Sequence, residues 1–227
     1  MHKIDNVIEK GKEMFQSLSN NESIDLEIFN SCIMELKQAI KSNPKLGKEI
    51  GPLIQKLITA KKINDKKSDI IQVPVLRGSL SIGHRPKIKE IPLLKRAGIT
   101  HILTLLSKKE GGEKIGEIVH KWDLKWIWHP MENANPPDSS QYERYIQLFE
   151  KLQNILNLKG SIYIHCSAGI HRTGMIVFAL LLYLGLNEQD AKELLFKLRV
   201  TTHENLGVER FEWGKELLKY KENQNQK

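Results

Sequence analysis

Residues 161–174 read Ser161-Ile162-Tyr163-Ile164-His165-Cys166-Ser167-Ala168-Gly169-Ile170-His171-Arg172-Thr173-Gly174, and Met175-Ile176-Val177-Phe178-Ala179-Leu180-Leu181 follows. Ser161–His165 is nearly all apolar, the pattern of a central strand covered on both faces. The run from Met175 has the composition of a buried helix. A cysteine therefore sits at a strand end, and Arg172 stands where the helix begins. A tight loop ahead of a helix aims several backbone N–H groups inward, and with the helix dipole they make an anion cradle. Gly169 supplies backbone freedom that other residues lack. Arg172 can grip two oxygens of a tetrahedral anion. The same positive field favours thiolate over thiol at Cys166, and the thiolate is the nucleophile. Thr173 can offer its hydroxyl to the sulfur. A cysteine without such a loop reads as a small core hydrophobe. A cation in the first helical turn is electrostatically misplaced unless it serves a ligand. His165 reads as a residue that orients the loop through hydrogen bonds.

Outward from this segment, β-rich runs alternate with helical stretches from about residue 70, the signature of an α/β domain. Strands are expected at 71–76, 80–82, 99–105, 126–129 and Ser161–His165. Helices are expected at 88–97, 114–120, 140–156, 173–184, 187–197 and 208–219. The first 68 residues carry helical periodicity instead. One stripe holds Ile4, Val7, Ile8, Phe15 and Leu18; a second holds Phe29, Ile33, Leu36 and Ile40 and stops at Ser42-Asn43-Pro44. A third runs from Leu46 to Ile58, with a break expected at Gly51-Pro52. Residues 20–23 read as a loop, and the charged stretch 61–68 as a linker. The expected organisation is a helical segment at 1–68 of unassigned role, a main domain at 69–221 and a disordered tail at 222–227.

Composition sets outer bounds. Forty per cent of the 227 residues are hydrophobic and 27% charged, the balance of a soluble globular chain. No run of about 18 apolar residues occurs, so no membrane span is expected. The first residues lack a signal-peptide layout, which makes the cytoplasm the expected location. The net charge of +8 favours anionic partners without choosing among them. Nucleic acid ranks last, since no aromatic-plus-basic platform is recognisable. The two cysteines, Cys32 and Cys166, lie in contexts too different for a disulfide framework; Cys32 falls on an apolar stripe and reads as core. No zinc-ligand spacing occurs, and neither metal nor cofactor is expected.

The pattern His165-Cys166, Gly169, Arg172-Thr173-Gly174 resembles the phosphate loop of the cysteine-dependent protein tyrosine and dual-specificity phosphatases. The resemblance covers about residues 72–220. The segment Gly78-Ser79-Leu80-Ser81-Ile82-Gly83-His84-Arg85-Pro86 is similar to the family's opening hairpin, and residues 94–105 resemble its first helix and strand. A domain of about 150 residues suits the compact dual-specificity branch. The resemblance implies a central, twisted, mostly parallel sheet flanked by helices, preceded here by a small all-helical segment. It implies a cysteinyl-phosphate mechanism without cofactors. Cys166 would be the nucleophile, and Ser167, Ala168, Gly169, Ile170, His171 and Arg172 would bind phosphate. Arg199, after the 187–197 helix, would brace the loop, and residues 201–207 read as loop near the site.

The resemblance also implies a general acid on the loop His129-Pro130-Met131-Glu132-Asn133-Ala134-Asn135-Pro136-Pro137-Asp138. Asn133 stands where the family places an aspartate, and an amide cannot donate the proton. Three explanations compete: Glu132 is the acid, Asp138 is the acid, or the leaving group needs little help. Asp138 precedes a helix start and also fits an N-cap; Asn133 would then position substrate or water. Positions 167–171 contain no lysine, which disfavours phosphoinositide substrates, while His171 before Arg172 keeps inositol pyrophosphates in view. A phosphoprotein is the expected partner, phosphotyrosine first, because phenolate leaves easily; small phosphorylated molecules come next. A catalytically dead phosphate-binding module is the competing class. Arg77, His84, Arg85 and Lys87 form a basic group that could border the site. Trp126 and Trp128 should share one strand face.

Overall fold

The computed structural model describes residues 2–20, 22, 24–68 and 70–224. The chain forms two compact units, Met1–Asp69 and Ile70–Lys227. In the first, helices α1 (His2–Ser19), α2 (Leu26–Ser42) and α3 (Gly47–Ser68) follow one another. Asp25 caps α2 by accepting the amides of Glu27 and Ile28. The predicted stripes meet in one core, with Cys32, Leu36, Ile50 and Leu57 fully buried. Burial pushes the Cys32 thiol up, so it is inert there.

Two expectations fail in this unit. No break occurs at Gly51-Pro52, since α3 runs through both residues. Gly51 has no Cβ to meet the ring of the proline that follows it. The buried stripe of Ile50, Ile54 and Leu57 outweighs the lost hydrogen bond. The supposed linker 61–68 is also helical, continuing α3 to Ser68. Lysine is a good helix former. Of the loop expected at 20–23, residues 21 and 23 lie outside the described residues.

In the second unit the elements are β1 (Val73–Val75), β2 (Gly78–Gly83), α4 (Ile91–Arg96), β3 (His101–Leu106) and α5 (Gly112–His120), then β4 (Lys125–Met131), α6 (Tyr142–Asn157) and β5 (Ser161–His165). Helices α7 (His171–Tyr183), α8 (Glu188–Leu198), α9 (Val200–Glu204) and α10 (Val208–Gln224) complete it. Among the described residues the sheet has five strands in the order β1-β2-β5-β3-β4. β1 and β2 form the antiparallel hairpin, and all other pairings are parallel. Strand alternation divides the core in two. Ile162 and Ile164 join Leu103 and Leu105 beneath α6 and α7, whereas Tyr163 joins Ile102 and Leu106 on the side of α4 and α5. Every residue from Met175 to Leu182 in α7 is buried, which explains its unbroken apolar run.

Register positions the site. Gly83 and Thr104 both pair with His165, so β2, β3 and β5 end together. The loops after these strands converge at the carboxyl edge, where parallel α/β sheets place their ligands. Other boundaries differ modestly. The strand expected at 71–76 keeps only its middle. Within the expected loop 201–207 the chain turns helical as α9, with the Thr202 and His203 amides bonding the Arg199 carbonyl. The expected tail begins late, because 222–224 continue α10; residues 225–227 lie outside the described residues. Trp126 and Trp128 stack at 5.6 Å on one strand face, anchored through Thr104 and the Leu106 carbonyl.

Candidate active site

The end of β5 delivers Cys166 into the loop, and α7 opens five residues later at His171. Gly169 adopts φ +71°, and a Cβ there would lie 2.2 Å from the Gly83 carbonyl oxygen. Only glycine fits, on both backbone and steric grounds. The turn brings the Gly169 amide to 3.2 Å from Cys166 Sγ. The amides of Ser167, Ala168, Ile170, His171 and Arg172 meet no backbone acceptor among the described residues. They are free donors on the same loop as the sulfur.

Burial alone pushes the Cys166 thiol up. The Thr173 hydroxyl and amide, the Gly169 amide and the Arg172 charge outweigh it, and the thiol lies below its ordinary value. Thr173 Oγ1 is itself buried with no partner of good geometry, so the neighbouring sulfur is the group its proton serves.

Arg172 is 8% exposed, and its placement depends on a residue that sequence reasoning missed. Glu110, on the loop after β3, accepts from Arg172 Nη1 at 2.6 Å and from Nη2 at 2.7 Å. Nη1 also donates to the carbonyls of Met131 at 2.9 Å and Leu105 at 3.4 Å. A guanidinium has five N–H donors. These contacts use both hydrogens of Nη1 and one of Nη2, leaving Nε–H and one Nη2–H as a side-on fork for two phosphate oxygens. The carboxylate of Glu110 is drawn down to about 2 by Arg172 first, aided by the Ser107 amide and the Ser167 hydroxyl. Arg85 ties the arrangement together, donating its amide to the Ser167 carbonyl and its guanidinium to the Glu110 carbonyl.

Because the folded pKa of Glu110 lies below the usual 4.5, the fold favours its charged form. That contribution is full above about pH 4.5 and is lost as pH falls toward 2. The melting temperature of Glu110→Gln should therefore lie below wild type at pH 6, and the gap should close on acidification. A gap constant from pH 6 to 2.5 in thermal melts would refute the pairing.

The predicted supporting residues also converge. His165 is fully buried, with Nε2 paired to Thr104 Oγ1 at 2.9 Å and Nδ1 to the Cys166 carbonyl at 3.1 Å. Burial holds its pKa down to about 4, so it is neutral and structural. Arg199 Nη1 donates to the carbonyls of Ala168 and Gly169, and the Thr202 hydroxyl also donates to Gly169. His171, Ser167 and Ala168 are exposed at the mouth. Arg77 is not brought in, since it lies in the hairpin turn at the far end of β2.

The acid loop is less simple. Asn133 Oδ1 accepts the Asn135 amide in an Asx turn. Asp138 caps the turn Ser139–Gln141, accepting the Ser140 amide and hydroxyl and Gln141 Nε2. The Ser140 hydroxyl first, then these other donors, hold its carboxyl below the usual range. These contacts are those of the N-cap that its position before a helix start also suits. Glu132 is exposed at the end of β4.

Glu110 had one readable signal, an acidic residue among lysines in the loop that ends a parallel strand. Arg210 Nε and Trp213 Nε1, which donate to the carbonyls of Ala134 and Pro137, had none.

Residues 73–219 match the family described as the Swiss Army Knife protein DSP-PTPase phosphatase domain, PTP-SAK. Solved structures share the fold. The kinase-associated phosphatase KAP, with its catalytic cysteine substituted by serine, superposes with a TM-score of 0.57 at 19% identity, covering 66% of this chain and 94% of that one. Tk-PTP in its active form gives 0.53 at 20% identity, covering 63% and 92%. PTPMT1 in complex with PI(5)P gives 0.50 at 17% identity, covering 64% and 94%. No protein of curated function matches the chain. Among the described residues no helix is long and apolar enough to cross a membrane. With the family match spanning well over half the sequence, the chain belongs to the DSP-PTPase phosphatase domain family, in the dual-specificity-like branch of the protein tyrosine phosphatases.

Proposed function

We propose that the protein hydrolyses phosphate monoesters through a phosphocysteine at Cys166, with phosphotyrosine in proteins as the favoured substrate. The observation that carries this is the lowered, buried thiol beside the Gly169 amide and the Arg172 fork. In the first step Sγ attacks phosphorus, the S–P bond forms and the bond to the leaving oxygen breaks. Loop amides and Arg172 take the charge on the three equatorial oxygens. The leaving oxygen takes its proton from Glu132 or from water. In the second step water attacks phosphorus and gives its proton to the Glu132 carboxylate or to solvent, and the S–P bond breaks to restore the thiolate, which the Thr173 hydroxyl supports.

Phosphotyrosine is favoured because phenolate is a better leaving group than a serine alkoxide, which suits a site with Asn133 in place of an acid. The variable loop positions carry no lysine for a phosphoinositide headgroup. A thiolate catalyst needs a reducing compartment, which fits a cytoplasmic location. Asn133 also favours a second reading, a phosphate-binding module with little turnover.

Folded, reduced protein should release phosphate from p-nitrophenyl phosphate and from a phosphotyrosine peptide, and acid quenching during turnover should trap phosphate on Cys166. Vanadate binding without turnover of either substrate would select the binding module.

A further inference from the structure

The loop 132–138 is held from α10, outside the phosphate loop. Arg210, in the first turn of α10, donates from Nε to the Ala134 carbonyl and from Nη1 to the Leu206 carbonyl, each at 2.8 Å. Its charge is paired with Glu209. Trp213, 2% exposed and one turn further on, donates Nε1 to the Pro137 carbonyl at 3.0 Å. Positions three apart on a helix share a face, so the two side chains grip the loop on either side of Pro136. The Leu206 turn reaches the other half of the site. A Cβ added at Gly174 would lie 2.8 Å from Leu206 Cδ1 and 2.9 Å from Thr202 Cγ2. Thr202 in turn holds the Gly169 carbonyl. Arg210 thus joins the loop expected to supply the proton to the turn packed beneath the phosphate cradle.

We propose that Arg210 is a positioning residue that sets the depth of the 132–138 loop over the phosphate, with Trp213 as the second clamp. This rests on the phosphatase reading above. A planar fork suits the task, because two carbonyls on separate segments are served by different nitrogens of one rigid group. Lysine offers a single point charge on a flexible stem. The Asx turn from Asn133 to the Asn135 amide spans Ala134, so releasing the Ala134 carbonyl displaces Asn133 and its neighbour Glu132 as well.

The test compares wild type, Arg210→Lys, Arg210→Ala and Trp213→Phe by turnover, vanadate inhibition and amide hydrogen exchange. Arg210→Ala should lower kcat on a phosphotyrosine peptide about tenfold, with a smaller loss on p-nitrophenyl phosphate, whose leaving group needs less protonation. Vanadate inhibition should stay within about twofold, because the cradle is untouched. Amides of 132–135 should exchange faster, and Arg210→Lys and Trp213→Phe should fall between. A loss of vanadate affinity matching the loss of kcat would overturn the proposal, since Arg210 would then support the phosphate loop. Unchanged exchange at 132–135 would overturn it too. Should folded wild type turn over neither substrate, the phosphatase reading fails, and exchange alone decides whether the clamp exists.

Discussion

Cys166→Ser should reduce phosphate release from both substrates by on the order of 10⁴-fold or more, with the fold and vanadate affinity retained. The two side chains differ by one atom, and the site is built to ionise sulfur, not oxygen. Its devices are hydrogen bonds from Thr173 and Gly169 and the charge of Arg172, which stabilise the thiolate and draw the thiol below its ordinary value. A serine hydroxyl would instead need a base to take its proton. His165, the nearest candidate in sequence, is neutral, but both ring nitrogens are occupied, by Thr104 and by the Cys166 carbonyl. It cannot swing to serve as one. Turnover above about 1% of wild type would reveal another nucleophile or another base.

Arg172→Lys should lower kcat/KM by about 10³-fold, although the positive charge remains. Lysine has three donors on one nitrogen. It cannot hold Glu110 bidentately, satisfy the Met131 carbonyl and still present a fork to phosphate. Two losses therefore add: the transition-state oxygens lose a two-point clamp, and the Glu110 carboxylate loses its matched partner. Vanadate affinity should fall along with kcat, unlike the case of Cys166→Ser. A variant within tenfold of wild type would mean that charge alone suffices and that the fork geometry is incidental.

Most of the cradle was legible because its requirements are local. A buried strand, a glycine forced to positive φ, and an arginine at a helix start lie within the twelve residues from Ser161 to Arg172, so spacing alone specifies their geometry. Arg199 was also within reach, through the family resemblance. Thr202 was legible only as part of a stretch expected near the site and Glu110 only as an acidic residue in a strand-ending loop, whereas Thr104, Arg210 and Trp213 were not, because each acts through parallel pairing or helix docking that brings distant segments together. Asp138 was ambiguous in sequence for a physical reason, since the same carboxylate serves as a cap or as an acid. Its contacts with Ser140 and Gln141 are those of the cap. In the helical unit, proline was given too much weight. Gly51 brings no Cβ against the ring that follows, and the buried stripe carries the helix through.

The strand order has a consequence for how the reactive group comes into being. β5 lies between β2 and β3, with Ser79 and Thr100 reaching Ser161 across 82 and 61 residues of chain. The braces on the Gly169 carbonyl arrive later still, 30 residues on at Arg199 and 33 at Thr202. Closing such long loops is slow, and none of them can close early. During synthesis the strands that flank β5 emerge before the cysteine, whereas Arg199 and Thr202 emerge after it. The turn that carries the Gly169 amide to the sulfur is therefore braced only once Thr202 has left the ribosome and docked on the Gly169 carbonyl.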